Sequence, residues 1–341
     1  MTLSPLLLAL AHVAFPAADP ATIMTRVCEA REKWTPAHVR FQTKLEGQRG
    51  TEAYDHVVDQ EIWFSGTHLR TDVVIKSSAG SIIDEEAWIK TPAFFAYRYG
   101  EAHDIYTGDL ADISAAADCA IDPRVLGLVP VSVYAMHNIG LGDYCALVTG
   151  ATDSSTVREE MVDGRQAVVV SYQNLDAGTS GEVWVIPEMD DAVTRIVVNG
   201  SVFRDEIDTT YKEVTAGVWF PSTSSFRRQN SKGKVITDQK VTVEQASIGA
   251  PIPDSVFALS SFDIPVGKEV NVGGHPRIWD GEKAVTEAEF AEQRALAERN
   301  AASGSTGRTV LVVLAVVILG VVAVLAWRAT RKQANPDASD Q

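Results

Sequence analysis

Hydrophobic and polar residues alternate along most of the chain between residues 38 and 246. In His38–Glu46, for example, Val39, Phe41 and Leu45 fall on one side of an extended segment, with polar residues between them. A period of two is typical of strands that bury one face. The same pattern predicts strands at Tyr54–Phe64, Leu69–Lys76, Ser81–Lys90, Phe94–Tyr99, Thr156–Val162, Gln166–Tyr172, Glu182–Ile186, Val193–Val198, Glu206–Val214, Val218–Arg228 and Lys234–Ala246.

Short turns link these strands, and helical patterns flank them. Asp163-Gly164 is typical of a two-residue hairpin turn, and such links indicate an antiparallel sheet. Before the sheet, Asp19 can cap a helix whose apolar residues recur at helical spacing as far as Trp34. After the sheet, Thr286 and Glu289 match a capping box and predict a second helix.

Residues 109–149 interrupt the alternation. Asp109–Cys119 is rich in alanine and Asn138–Val148 has helical spacing, so this stretch predicts an insertion of helices and loop across one face of the sheet. Its central residues, among them Val125 and Leu126, are more apolar than those of most surface loops. Two interpretations remain open: ordinary packing against the sheet, or a lid over a hydrophobic cavity.

Two apolar runs predict the location of the protein. Thr309–Trp327 has no charged residue and as a helix would extend ~28 Å, close to the ~30 Å of a bilayer core. The alternative is a buried core helix. Basic residues follow this run and predict a cytoplasmic tail. Met1–Ala18 matches a secretory signal peptide, with an uncleaved anchor as the alternative. The N-terminal domain is therefore expected outside the cytoplasm, in a periplasmic or extracellular position.

The charge of the chain agrees with this location. The sequence has 30 Lys and Arg against 45 Asp and Glu, a net charge of −15. An acidic outer domain argues against nucleic acid as a partner, because nucleic-acid phosphates bind basic surfaces. The predicted partners are the lipid bilayer and a membrane subunit, since the tail at residues 328–341 is too short to form a signalling domain.

Three cysteines, Cys28, Cys119 and Cys145, fall in the predicted outer part. In an oxidising compartment Cys119 and Cys145 could pair, closing a loop of about 25 residues worth ~3 kcal/mol. Cys28 would then be a buried, small apolar residue on its helix.

No Cys and His spacing matches a metal site, so no metal or cofactor is predicted. No catalytic motif such as G-x-S-x-G or a P-loop occurs, so no enzyme activity is predicted.

Several segments resemble a known family in their order along the chain. They are Val39–Leu45, Glu61-Ile62-Trp63-Phe64, Leu69-Arg70-Thr71-Asp72, Asp84-Glu85-Glu86-Ala87-Trp88, Gly217-Val218-Trp219-Phe220-Pro221 and Ile252-Pro253-Asp254-Ser255-Val256-Phe257. This order is similar to that of the periplasmic lipoprotein-carrier family of LolA, LolB and RseB, over about Thr22–Leu259. In that family a half-closed antiparallel barrel cups a helix and holds acyl chains.

The resemblance implies a non-catalytic module that binds or senses an apolar or acylated ligand, a lipid or a lipoprotein. The predicted transmembrane helix would anchor this module to the membrane, whereas LolA itself is a soluble carrier. The implied ligand-binding residues are Phe41, Trp63, Arg70, Trp88 and Leu126, with Arg70 as the charge that meets a headgroup. The alternative is an envelope structural or protein-interaction domain with a packed core and no ligand.

Together, these observations predict a mainly β (α+β) fold. It is a curled antiparallel sheet or half-barrel around an N-terminal helix, with a helical insertion and a C-terminal single transmembrane helix. The predicted divisions are a signal peptide (1–18), a LolA-like β domain (19–265, insertion 109–149), an extended segment with a juxtamembrane helix and linker (266–308), a transmembrane helix (309–327) and a cytoplasmic tail (328–341).

Overall fold

The computed structural model describes residues 19–49, 52–100, 104–108, 121–131, 140–150, 155–174 and 178–300. The predicted signal peptide Met1–Ala18, the helix at Asp109–Cys119 and the apolar run Thr309–Trp327 lie outside the described residues. The chain forms two compact units. One contains the residues up to Pro265 together with Glu269–Pro276, and the other contains the remainder of the chain.

The first unit is built on one large sheet. Its strands are β1 (Ala37–Arg49), β2 (Glu52–Ser65), β3 (His68–Ser77), β4 (Ile82–Lys90), β5 (Phe95–Tyr99), β6 (Asp104–Gly108), β7 (Thr156–Val162), β8 (Arg165–Asn174), β9 (Thr179–Ile186), β10 (Ala192–Asn199), β11 (Phe203–Thr215), β12 (Val218–Asn230), β13 (Val235–Ile248) and β14 (Glu269–Val272). Their order across the sheet is β14-β6-β5-β4-β3-β2-β1-β13-β12-β11-β10-β9-β8-β7.

Within β1–β6 and within β7–β13, sequential strands pair antiparallel, as the alternation and short turns predict. β13 pairs with β1 and so joins the two halves of the sheet, while β14 pairs with β6 in parallel. The predicted mainly β fold with a large curled sheet is confirmed. The fold-class prediction also includes a transmembrane helix that the structure does not bear out: no helix of the described residues is both long enough and apolar enough to cross a membrane, and the predicted run Thr309–Trp327 lies outside them.

Helix α1 (Pro20–Glu32) begins at the predicted cap. The Asp19 carboxylate accepts a hydrogen bond from the Thr22 amide at 3.1 Å, which satisfies one of the free N–H groups of the first turn. Ile23 and Val27, both at most 1% exposed, pack among apolar residues of β8–β11. The side of the sheet that carries α1 is called the helix face here, and the opposite side the outer face.

The described part of the insertion lies on the helix face. Residues 121–131, called the strap, run across the sheet and are followed by helix α2 (Leu141–Gly150), which packs against α1. The Asp122 carboxylate joins the two parts, because it accepts from the Leu141 amide at 3.0 Å and from the Arg124 guanidinium at 2.9 Å. Gly127 (φ 77°) turns the strap where an added Cβ would lie 2.7 Å from the Thr209 hydroxyl.

A disulfide bond joins Cys28 of α1 to Cys145 of α2. The predicted bond between Cys119 and Cys145 is therefore wrong, because Cys145 is already bonded, and Cys119 lies outside the described residues. Cys28 is likewise not a free buried thiol. The sequence favoured the pair closer along the chain, whereas the packing of α1 on α2 brings together cysteines 117 residues apart.

The second unit contains the end of β15 (His275–Trp279), β16 (Ala284–Val285) and helix α3 (287–300). The Thr286 amide donates to the Glu289 carboxylate at 2.8 Å, and the Glu289 amide donates to the Thr286 hydroxyl at 3.2 Å. The predicted capping box is confirmed. Trp279, at 2% exposure, is the largest buried side chain of this unit among the described residues.

Candidate ligand-binding face

The helix face carries a first apolar cluster that the strap and Trp34, just after α1, fill. Phe41 and Leu126, at 2% and 1% exposure, lie in it with Trp34 and Phe220, whose ring centroids are 4.5 Å apart. Leu126, predicted in a lid, is a core residue. A Leu126→Glu substitution would therefore bury a carboxylate and is not a neutral test of lid closure.

A buried arginine holds the strap in place. Arg31 of α1 is 2% exposed and donates to the carbonyl oxygens of Arg124 at 2.7 Å and Leu126 at 2.8 Å, and to the Tyr211 hydroxyl at 2.7 Å. Burial lowers the pKa of the Arg31 guanidinium. Carbonyl and hydroxyl oxygens, rather than a carboxylate in hydrogen-bond contact, stabilise this charge among the described residues.

Buried polar residues, called the polar strip, border the first cluster on the same face. The Thr43 hydroxyl donates to the Gln60 side chain at 3.2 Å. Gln239 accepts from the Val131 amide at 3.0 Å and donates to the Val131 carbonyl. Thr71 is 0% exposed, and its hydroxyl has no hydrogen-bond partner among the described residues. Such a group costs about 1–3 kcal/mol when it is unpaired, so Thr71 is a donor that a ligand could satisfy.

Beyond the polar strip lies a second apolar cluster, called the strand cluster. Its buried members, Leu45, Val58, Val73 and Ile75, are all strand residues of β1–β3, with Tyr54 packed against them. Because these side chains alternate with polar neighbours, they share the helix face with Phe41.

Three aromatic residues, called the aromatic cluster, extend this face across β4 and β5. Trp88 is directly opposite Thr71 in the β3–β4 pairing and opposite Tyr97 in the β4–β5 pairing. The Trp88 and Tyr97 rings stack at 4.9 Å between centroids, and Phe95 lies 5.6 Å from Trp88. Trp88 and Tyr97 are only half-buried, so they offer apolar surface next to the unpaired Thr71 hydroxyl.

One carboxylic acid belongs to this region. Glu86, two residues from Trp88 on the same strand face, accepts a hydrogen bond from the Trp88 indole at 3.2 Å. Burial raises the pKa of Glu86, and the neighbouring Asp84 adds to the rise, while the Trp88 hydrogen bond opposes it. The folded protein therefore binds this proton more tightly than the unfolded chain does.

Replacing Glu86 by glutamine should remove a pH dependence of stability. The folded-state pKa of Glu86 is raised above 4.5, so ionisation of Glu86 disfavours the folded state. The wild type therefore becomes more stable as the pH falls through that folded-state pKa towards 4.5. The variant should be more stable than the wild type at pH 8, and this advantage should shrink towards pH 4.5. Thermal unfolding across this range measures the difference; a constant difference at every pH would contradict the assignment.

The structure divides the predicted ligand-binding residues between two faces. Phe41, Leu126 and Trp88 lie on the helix face, whereas Trp63 and Arg70 are paired on the outer face. Trp63 stacks on His38 at 5.0 Å, and the Arg70 guanidinium lies 5.0 Å from the Trp63 ring.

On that outer face the Arg70 guanidinium already has hydrogen-bond partners within the protein. It donates to the Asp72 carboxylate at 2.7 Å and to the Val256 carbonyl at 3.4 Å, next to the buried Phe257. The sequence-based selection omitted Phe95, Tyr97 and Glu86. Alternation within β5 places Phe95 and Tyr97 on one face. Only the register between β4 and β5 shows that this is the face of Trp88.

Among the described residues, no group of three His, Cys, Asp or Glu side chains is placed to hold a metal ion. No family model matches the chain, and no curated protein does.

Several solved structures are similar in fold. A putative outer membrane lipoprotein-sorting protein domain from Vibrio parahaemolyticus has a TM-score of 0.42 and 8% identity, over 70% of this chain and 95% of that chain. A DUF1329 family protein from Desulfovibrio piger has a TM-score of 0.44 and 12% identity, over 72% and 99%. A LolA superfamily protein from Nitrosomonas europaea has a TM-score of 0.38 and 10% identity, over 72% and 100%. These likenesses agree with the resemblance found in the sequence, and at these TM-scores they assign no ligand or role to this chain.

Proposed function

We propose that this protein is a non-catalytic binding module for an apolar or acylated ligand, a lipid or the lipid-bearing part of a lipoprotein. The observation that supports this proposal is the half-buried pair of Trp88 and Tyr97 beside the Thr71 hydroxyl, which has no hydrogen-bond partner among the described residues. Few precisely placed polar groups within a mostly apolar lining are typical of small-molecule sites.

The geometry suits a ligand with a chain and an ester or amide. The hydrocarbon part would lie on the rings of Trp88 and Tyr97 and beside the strand cluster. Because Thr71 is 0% exposed, a carbonyl oxygen of the ligand would accept the hydrogen bond that its hydroxyl lacks only after the ligand displaces the side chains that cover it. Phe41 and Leu126 would support this site without touching the ligand, because both lie within the first apolar cluster rather than beside Trp88 and Tyr97.

The proposed location is outside the cytoplasm, after export by Met1–Ala18. The bond between Cys28 and Cys145 supports this location, since stable disulfides form in oxidising compartments. The acidic composition, with a net charge of −15, agrees with an outer surface that binds no nucleic acid.

Trp88 and Trp63 make a matched test, because they are half-buried tryptophans on opposite faces of neighbouring parts of the sheet. Trp88→Ala should weaken binding of a dansyl-labelled fatty acid by the full-length protein about tenfold, which corresponds to ~1.4 kcal/mol. Trp63→Ala should change the dissociation constant by less than about twofold. Fluorescence titration measures binding, and thermal unfolding confirms that each variant is folded.

Thr71→Val adds a second test of the same site at nearly constant volume. It should reduce affinity for a fatty-acid methyl ester, whose carbonyl can accept the Thr71 hydrogen bond, more than for the matching alkane. Two results would contradict the proposal: no binding of an acyl probe by the wild-type protein, or a loss of binding in Trp63→Ala as large as that in Trp88→Ala. The helix face would then be a packed core, and the alternative of a structural or protein-interaction domain would be supported.

A further inference from the structure

A groove of about 1070 Å³ lies on the outer face of the second half of the sheet, away from the helix face. Its floor is a cross-strand row of Arg195, Asp208, Ser225 and Lys240 on β10 to β13, which the pairing places side by side. Its apolar end contains Trp219. This groove shares no residue with the aromatic cluster.

One wall of the groove is the edge strand β7. β7 is the last strand of the sheet and pairs with β8 alone among the described strands, so its other edge carries main-chain N–H and C=O groups without a strand partner. Both Glu160 and Met161 line the groove, although their side chains point to opposite faces of β7. The main chain of β7 therefore borders the groove.

The sheet bends so that β7 and β9 approach the floor. Ile186 and Met189, at 1% and 6% exposure, form a buried cluster on the outer face, and Val162 of β7 and Trp219 of β12 pack against it. Arg165, in the strand after β7, lies 5.5 Å from the Trp219 ring. These contacts bring side chains of β7, β8 and β12 together at the apolar end of the groove.

The polar floor contains donors that the described residues do not satisfy. Arg195 forms long ion pairs with Glu206 at 3.8 Å and Asp208 at 3.7 Å, and neither its Nε nor the Thr194 hydroxyl has a hydrogen-bond partner among the described residues. By contrast, Arg227 donates to Asp238 at 2.9 Å.

Lys240 adds a charge to this floor. No ion pair or hydrogen bond of Lys240 occurs among the described contacts, and the Ser225 side chain opposite it has none either. An acidic group entering the groove at this point would meet an ammonium group that has no competing carboxylate bonded to it.

We propose that the groove binds an extended peptide segment that adds to β7 as a further strand and carries an acidic residue to Lys240. A strand partner is favoured over a compact ligand because a main-chain edge without a strand partner borders the groove at Glu160–Val162, and such an edge can pair with another strand. The mixed charges of the floor fit a polypeptide, whose amides donate and accept alternately. The partner is thus a flexible, β-prone segment with alternating apolar residues and a central Asp or Glu.

The test uses a fluorescein-labelled peptide of sequence KVTVEVTVK and the full-length protein. Fluorescence anisotropy should show saturable binding, and hydrogen exchange should show slower exchange of the amides of Arg158–Val162 on binding. A peptide with alternate main-chain N-methyl groups keeps its side chains but loses donors on one edge. It should bind at least tenfold more weakly.

Charge reversal tests the contact with Lys240. Lys240→Glu should weaken the glutamate peptide at least tenfold and restore binding to a peptide with lysine at the central position. Lys212→Glu is the control, because Lys212 is an exposed lysine on β11 that does not line the groove. It should leave both affinities within twofold.

Three results would overturn the proposal: equal binding of the N-methylated peptide, unchanged exchange of β7, or equal losses in Lys240→Glu and Lys212→Glu. Trp88→Ala, on the other face, should not alter peptide binding. The two tests are therefore independent. Absence of acyl binding on the helix face would not contradict peptide binding in the groove, and absence of peptide binding would not contradict the acyl site.

Discussion

Replacing Cys28 by serine is expected to lower the free energy of unfolding by about 4–5 kcal/mol. The disulfide with Cys145 spans 117 residues, and in the chain-entropy model a loop of that length restricts the unfolded chain by roughly this amount. This is a large fraction of the ~5–15 kcal/mol by which domains are usually stable. Urea denaturation of the oxidised protein measures the change.

Cys145→Ser should have the same effect as Cys28→Ser, and the double variant should lose no more than either single one, because all three remove one bond. Cys119→Ser is the matched control and should leave stability within about 0.5 kcal/mol. A large loss in Cys119→Ser with none in Cys28→Ser would show that Cys119 is the partner of Cys145 and would contradict the pairing described here.

Replacing Arg31 by methionine is expected to lower the free energy of unfolding by about 3 kcal/mol. The substitution keeps an unbranched apolar stem but removes the donors to the Arg124 and Leu126 carbonyls and to the Tyr211 hydroxyl. Each buried acceptor left without a donor costs about 1–3 kcal/mol. Release of a desolvated charge offsets part of that loss.

Lys33→Met is the control for Arg31→Met, since Lys33 is on the same segment, is 54% exposed and pairs with Asp190 at the surface. Exposed ion pairs contribute about 0–1 kcal/mol, so this variant should change stability little.

Arg31→Met should also speed proteolytic cleavage within the strap, because the strap loses its anchor to α1. A variant as stable and as protease-resistant as the wild type would show that packing alone holds the strap.

The period-two pattern predicted the strands of the sheet well because each strand buries one face. Thr156–Val162 was predicted with the bounds that β7 has, and most other strands extend one to three residues beyond the prediction. β6 and β14 were not predicted. They are four or five residues long, and too few positions alternate in such strands to give a periodic signal.

The candidate site was harder to predict because one residue of offset changes the face. Trp63 and Trp88 are equally good candidates in the sequence, and only the pairing of Thr71 with both Ile62 and Trp88 shows which tryptophan shares the face of Phe41. The groove on the outer face was not predicted at all. Its lining comes from strands between residues 156 and 248, and no local pattern connects them.

The disulfide was mispredicted for a related reason. Sequence distance favours Cys119 as the partner of Cys145, since short loops close most readily. The actual partner is fixed by the docking of α1 on α2, and this depends on the helices packing on the same part of the sheet.

The Cys28–Cys145 bond also determines how the molecule would carry a mechanical load. Strands β1–β6 lie between the two cysteines in the sequence, so they belong to a covalent ring. A pull on the chain ends would pass through the bond and stretch only the residues outside the ring. At ~3.5 Å per residue the ring withholds about 400 Å of contour length. Under tension the helix-face site would stay within its ring while β7–β13 took the load, and a reductant would abolish that protection.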